Sequence, residues 1–291
     1  MKLQEKLLFD TTYLRIKYPL TPYPSYHQGL YLEEYFCDYF IKNCLHEVYD
    51  RYYLPIFWTN IYLKNWLHNY RNPVLQCFLD TLPKNQKYFT VCQHDDAPSE
   101  NIDGFDIKVF SAGGNYSKGI PIPLICAPMN VDNIIKDKNI FCSFVGSLTH
   151  DVRKKFIETY KNDEEFYISS REWNYGINAQ QLDLFSNITS KSHFTICARG
   201  YGKQSFRFYE TLQLRSIPVY IYDNDPYLPF SDVIDYNSFS IILNVKDIGK
   251  LKDILKSIDF NKRIEMIEKG WEIYKNFFTF EKVTERILKN V

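Results

Sequence analysis

"CARGYGKQSFRFYETLQLRSIPVYIYDND", residues Cys197 to Asp225, reads as a strand end, a glycine loop, a helix and a second strand closed by acids. The preceding "HFTICARG" delivers Arg199 and Gly200 to the carboxyl end of a core strand, and Ser205 stands where a helix N-cap belongs. Free N–H groups and the positive end of the helix dipole favour an anion there. Arg199 and Arg207 add bidentate donors, and Lys203 is a third cation in the same loop. The glycine spacing by itself is weak, since it is neither GxGxxG nor a P-loop. Within the helix, Phe206, Tyr209 and Leu212 recur at threes and predict the face toward the sheet, while Arg207 and Glu210 share another edge. Two readings of that pair stand. It is a surface ion pair worth roughly 0.2–0.5 kcal/mol, or Glu210 accepts hydrogen bonds from two ribose hydroxyls while Arg207 meets phosphate.

The pattern continues on both sides. "NIFCSFVGSLTHDVRKKFIETY" predicts a strand at Ile140–Val145, a turn at Gly146 and a helix from about Asp151. "EFYISS" and "FSIILN" read as strands, "NAQQLDLFSNIT" and "VKDIGKLKDILKSI" as helices, and a terminal helix follows Asn261. Strands alternating with amphipathic helices imply right-handed βαβ units and a parallel sheet. Nearer the start, "YLEEYFCDYFIKN" is helical, with a strand-like piece around Pro55. "KYFTVCQHDD" and "DIKVFSAGG" are short buried strands, and the proline-punctuated "KGIPIPLICAPMN" is an extended edge segment. The polar stretch "MNVDNIIKDKN" divides the chain into residues 1–133 and 134–270, leaving 271–291 as a helix expected to pack back across the division. The expected class is α/β in two halves, whose short core strands end in glycine or acids, where open α/β sheets bind ligands.

Composition narrows the function. Lysine plus arginine equals aspartate plus glutamate at 35 each, and zero net charge argues against a general nucleic-acid binder. Aromatics reach 17%, which fits either platforms for sugar rings or an AT-rich coding sequence. Seven cysteines without a CxxC pair point to a reducing compartment and to neither a disulfide scaffold nor a zinc site. Glu5, Lys6 and Asp10 interrupt the opening residues, so these do not read as a signal peptide. No run approaches the roughly 18 apolar residues of a membrane span. A cytoplasmic protein is expected, with peripheral attachment at the inner membrane face compatible with the sequence.

Longer motifs carry a resemblance. Arg199-Gly200, Ser205, Arg207, Glu210, Ile217-Pro218-Val219, Asp223, Leu228-Pro229-Phe230, Ile234-Asp235-Tyr236 and Phe239-Ser240 follow in the order seen in exostosin-like glycosyltransferases, family 47. The donor-binding half of that family is what the stretch Ser192–Leu243 resembles. Weaker likeness extends upstream through "YLEEYFCDYF", "RYYLPIFWT", "YFTVCQHDD", "IPIPLICAP" and "FCSFVGS". Arg215 departs from the pattern, standing where the family usually has glycine. The chain also reads without the anchor and stem of animal and plant members, which implies a bacterial or viral cytosolic form. The resemblance implies a GT-B fold: two facing Rossmann-like domains, an interdomain cleft, and a nucleotide sugar held mainly by the second. It also implies inversion at the anomeric carbon and favours the ribose reading of Glu210. The donor set is then Arg199, Gly200, Lys203, Ser205, Arg207 and Glu210, with Gly146 allowing close backbone approach.

Chemistry on this plan needs a leaving-group cradle and a base. "DNDP" at Asp223–Pro226 spells the metal-binding D-x-D of another glycosyltransferase architecture, or else a turn in which Asp223 caps backbone amides. The turn is preferred, so no metal or other cofactor is expected. "QHDDAPSE" supplies His94, Asp95, Asp96 and Glu100 at one strand end. Asp95 is the first choice of base and Asp96 the second; alternatively His94 and Asp95 hydrogen-bond loop backbone. Tyr26 and His27 lie in an aromatic loop suited to an acceptor sugar, whereas His46, His68, His150 and His193 read as surface or packing residues. The expected activity is inverting, metal-independent hexosyl transfer from a nucleotide sugar, UDP-linked by first choice, to an oligosaccharide or glycolipid in surface-polysaccharide synthesis. The alternative is a catalytically silent partner subunit of a glycan polymerase.

Overall fold

The computed structural model describes residues 2–16, 31–45, 48–65, 73–125, 128–129, 138–174 and 176–291. The expected boundary at 133/134 lies outside them. The chain forms two compact units. One takes in the described residues up to Pro123 together with Phe280–Val291, and the other comprises the described residues of Leu124–Thr279.

The first unit contains α1 (Leu3–Asp10), α2 (Leu32–Asn43), β1 (Tyr52–Tyr53), α3 (Trp58–Asn65), α4 (Pro73–Asp80), β2 (Lys87–Cys92), β3 (Asp106–Ser111) and β4 (Ile120–Pro121). The strands pair in parallel in the order β1-β2-β3-β4. Five of the six residues of β2 are buried, because this strand is covered on both faces. Tyr88 and Cys92 pack with Leu54, Leu75, Leu79 and Val109. Phe89 meets Phe36 of α2 edge-on at 6.0 Å and stacks on Tyr53 at 5.2 Å. The short β4 ends at Pro121, which has no N–H for a further partner and so suits an edge.

The second unit contains β5 (Ile140–Ser147), α5 (Asp151–Tyr160), β6 (Phe166–Arg171), α6 (Ala179–Lys191), β7 (Ser192–Ile196), α7 (Phe206–Gln213), β8 (Ile217–Tyr222), β9 (Ile241–Asn244), α8 (Leu251–Ser257) and α9 (Phe260–Phe277). Its sheet is parallel throughout, in the order β6-β5-β7-β8-β9. Cys142, Phe144, Phe194, Ile196, Val219 and Ile221 form the strand side of the core, with Phe156 of α5 and Leu251 and Leu255 of α8 among the helical residues packed on it. Two parallel α/β units are what the GT-B class requires.

Two local findings differ from the periodicity. The buried side of α7 differs from the predicted Phe206–Tyr209–Leu212 stripe: Phe206 is half-buried, while Phe208, Glu210, Thr211 and Gln213 are buried beside Tyr209 and Leu212. The cause is that α7 packs against both β8 and α9, where Gly270 comes so close that a Cβ would stand 2.9 Å from Leu212. The terminal helix is in fact two, α9 and α10 (Phe280–Leu288). Phe278 closes α9 as its C-cap, fully buried with its ring 5.0 Å from that of Tyr209. Phe280 then stacks on Tyr35 within the first unit.

Candidate functional site

Because β5 runs between β6 and β7, the ends of three parallel strands lie side by side: Gly146 beside Ser170, Ser147 beside Arg171, and the chain leaving β7 at Cys197. Arg207, in the first turn of α7, reaches this edge. Its guanidinium lies over the rings of Phe144 and Phe185, at 5.1 and 5.6 Å. A Cβ on Gly146 would come within 2.1 Å of Arg207 Nη2, so the glycine is what admits this side chain. Arg207 Nε and Nη1 are nevertheless buried without a hydrogen-bond partner among the described residues. Buried N–H groups of a cation left unpaired cost free energy, so the arrangement fits an anionic acceptor. Ser205 holds the N-cap position of α7 but its hydroxyl caps no backbone N–H, and the Oγ1 of nearby Thr149 is also buried and unpartnered among the described residues.

Arg199 is used differently from the expectation. It is 8% exposed, and Nη1 donates to Asp223 Oδ1 at 2.7 Å while Nη2 donates to the Tyr201 carbonyl at 3.0 Å. Its guanidinium therefore ties the end of β7 to the end of β8. Burial pushes the Asp223 carboxyl up, but the Arg199 hydrogen bond and charge outweigh it and hold the group below its ordinary range. Asp223 Oδ1 also accepts from Asn224 N–H at 3.0 Å, the turn reading of "DNDP". Among the described residues, no three His, Cys, Asp or Glu side chains are grouped so as to hold a metal ion. His150 caps α5 through Nδ1, with Nε2 3.8 Å from Asp223 Oδ2. It belongs to this strand-end group rather than to the plain surface.

The remaining loop residues are ordered by Arg153 of α5, itself buried. Nε donates to the Arg199 carbonyl at 3.0 Å, Nη1 to the Ser147 carbonyl at 2.9 Å, and Nη2 to Ala198 O and Ser205 Oγ at 3.2 and 3.4 Å. Gly200 lies against the same guanidinium, 3.3 Å from where a Cβ would be. Lys203 Nζ stands over the Tyr227 ring at 5.9 Å. Glu210 is 4% exposed, so it is not a surface residue, and it already makes an interaction of its own.

In the first unit, His94, Asp95 and Asp96 come one residue after the end of β2 and are half-buried. His94 Nδ1 accepts from Asp96 N–H at 3.1 Å, so in the neutral ring the proton sits on Nε2. Burial pulls its pKa down to about 4 against the opposing charge of Asp96, leaving the ring uncharged at neutral pH. Asp96 Oδ1 accepts from Asn115 Nδ2 at 2.9 Å. Asp95 is engaged too, and its backbone crosses Gly113 so closely that a Cβ there would meet Asp95 Cα at 2.2 Å. Glu100 is buried, accepting from Tyr62 at Oε2 while Oε1 has no partner among the described residues. Behind the strand end lies Glu33, fully buried, accepting from Thr59 N–H and Oγ1 and from Gln93 N–H at 2.8–3.2 Å. Burial raises it to about 8, although these hydrogen bonds act in the opposite sense. Tyr26 and His27 lie outside the described residues.

The profile of the exostosin GT47 domain matches residues 114–258, a span holding Gly146 and the whole β7–α7–β8 constellation. Residues 114–258 are an exostosin GT47 domain. A probable glycosyltransferase of Arabidopsis thaliana is 31% identical over 139 residues, covering 47% of this chain and 25% of that protein. An exostosin-1 homolog of Caenorhabditis elegans is 29% identical over 106 residues, 36% of this chain and 28% of its own length. The chain thus spans little more than a quarter of these relatives. The crystal structure of TarM superposes on 73% of the chain and 51% of its own at a TM-score of 0.45 and 12% identity. The exostosin GT47 domain makes the chain a glycosyltransferase homologue. Within the domain, Arg153, Thr149, His150 and Arg171 are the strand-end residues that motif reading missed. Only their positions just after "FVGS" and at the end of "EFYISSR" signalled them.

Among the described residues, no helix is long and apolar enough to cross a membrane.

Proposed function

We propose that this chain is an inverting glycosyltransferase that moves a sugar from a nucleoside diphosphate to a glycan hydroxyl without a metal ion. The observation that carries the reading is Arg207: a guanidinium seated on Gly146 at the strand ends of an exostosin GT47 domain, two of its nitrogens buried without an acceptor. Diphosphate oxygens are acceptors of the right charge for that site. The acceptor oxygen attacks the anomeric carbon, the bond from that carbon to the β-phosphate oxygen breaks with its electron pair, and configuration inverts. Negative charge grows on the departing diphosphate, where Arg207 and the N–H groups at the start of α7 meet it. A carboxylate at the end of β2, Asp95 before Asp96, takes the hydroxyl proton. Uncharged His94 instead positions the loop through the Asp96 amide. Glu210 receives the ribose hydroxyls in exchange for the interaction it makes in the free protein.

The test is calorimetric titration with UDP, GDP and TDP, followed by transfer and donor-hydrolysis assays with the matching sugars in excess EDTA. Tight binding of one diphosphate and turnover in EDTA support the reading. A strict Mn²⁺ requirement would restore a metal role for Asp223 and Asp225. Binding without turnover in the isolated chain would identify a silent partner subunit.

A further inference from the structure

We propose that Arg171 is the second cation of a two-arginine clamp on the donor diphosphate, opposite Arg207. The inference rests on the donor reading above and extends it to a residue outside the family motif.

Register places it. Gly146 pairs with Ser170 and Ser147 with Arg171, so Arg171 leaves β6 one residue beyond the level at which Gly146 receives Arg207. Its carbonyl is held by Leu148 N–H at 3.0 Å, which fixes the backbone at the strand end. Among the described residues, neither Arg171 nor Arg207 has a side-chain hydrogen bond or an ion pair. Asp223, an acid of the same strand-end group, gives its Oδ1 to Arg199. Arg171 is half-buried, and its pKa is lowered first by that burial and then by the charge of Arg207. Two guanidinium groups within reach of each other's field, both drawn out of water and neither matched by a carboxylate, repel one another. A multiply charged anion turns that repulsion into attraction from two sides. A single phosphate is satisfied by one bidentate guanidinium, whereas a diphosphate offers enough oxygens for two. The clamp therefore selects for the second phosphate of the donor.

The experiment compares the parent, Arg171→Gln and Arg171→Lys in calorimetric titrations with a nucleoside, its monophosphate and its diphosphate, using the base that the parent binds. Melting temperatures are measured beside them. Arg171→Gln is expected to lose roughly 10- to 100-fold in diphosphate affinity, as for a hydrogen bond to a charged group. It should lose much less for the monophosphate and nothing for the nucleoside, while Arg171→Lys retains an intermediate affinity. Diphosphate affinity of Arg171→Gln should also vary less with salt. Unchanged diphosphate affinity, or equal losses for all three ligands, overturns the clamp while leaving the donor reading intact. A parent that binds none of the diphosphates overturns both.

Discussion

The substitution Gly146→Ala separates function from folding in a single methyl group. Gly146 lies within β5 and its backbone is not in the left-handed region, so alanine fits the strand and should stabilise it by roughly 0.5 kcal/mol relative to glycine. The added Cβ would stand 2.1 Å from Arg207 Nη2, 2.8 Å from Cζ and 3.2 Å from Nη1. These atoms are the end of a flexible side chain, so the guanidinium gives way and the strand does not. Restoring an ordinary contact of about 3.5 Å moves Nη2 by roughly 1.4 Å. A misplacement of about 1 Å in a catalytic group can lower turnover about 100-fold, and loss of one oxyanion donor costs roughly 100- to 1,000-fold. Gly146→Ala is therefore expected to melt at or slightly above the parent temperature while kcat for sugar transfer falls at least about 100-fold. The assay is initial-rate transfer with the cognate nucleotide sugar, run beside thermal denaturation of the same preparation. Parent-like kcat and donor KM in a normally folded Gly146→Ala protein would refute the placement of Arg207 on the leaving group.

Other perturbations probe separate parts of the molecule. Asp95→Asn should reduce transfer by roughly 100- to 10,000-fold while leaving nucleoside-diphosphate affinity unchanged, and Asp96→Asn should do less; equal activity in both variants would place the base elsewhere. Glu33 has a folded pKa of about 8 against an ordinary 4.5, so the folded state holds the extra proton across that interval and stability falls as pH rises through it. Glu33→Gln cannot ionise, so its stability relative to the parent should improve by at least about 1.4 kcal/mol between pH 5 and pH 8; parallel curves from denaturant titrations would refute the assignment. Arg215 has φ 57°, with Ser216 N–H bonded to Thr211 O and its own N–H to Leu212 O, the hydrogen bonds of a Schellman helix end. It stacks on Trp271 at 4.1 Å. Arg215→Ala loses the stack and keeps the left-handed strain, whereas Arg215→Gly loses the stack and relieves it. The glycine variant should be the more stable by about 1 kcal/mol; the reverse order would show that the backbone there is unstrained.

The second unit was readable because its strands are short apolar runs bounded by glycine or acids, and such runs between helices leave a parallel sheet as the natural arrangement. The place of Arg207 in the first turn of a helix after a glycine loop was legible from the sequence. The tie from Arg199 to Asp223 was not legible because the two are 24 residues apart. The two meet because parallel β7 and β8 end together, a consequence of register that linear spacing does not display. Arg171 and Arg153 were missed for the same reason. Glu210 was recognised as unusual, but its depth depends on α9 covering α7, and nothing in the local helix pattern records that cover. Arg215 stood out as an arginine in a glycine position, and its positive φ supplies the reason for the family preference.

Arg153 has a further consequence. One side chain from α5 grips the strand exit at Ser147, two carbonyls beyond β7 and the serine that starts α7. The bend is thereby assembled before any guest arrives, so under the proposed function the capture of a sugar nucleotide need not spend affinity on ordering it. Loosening that grip should speed release of the guest more than it slows arrival.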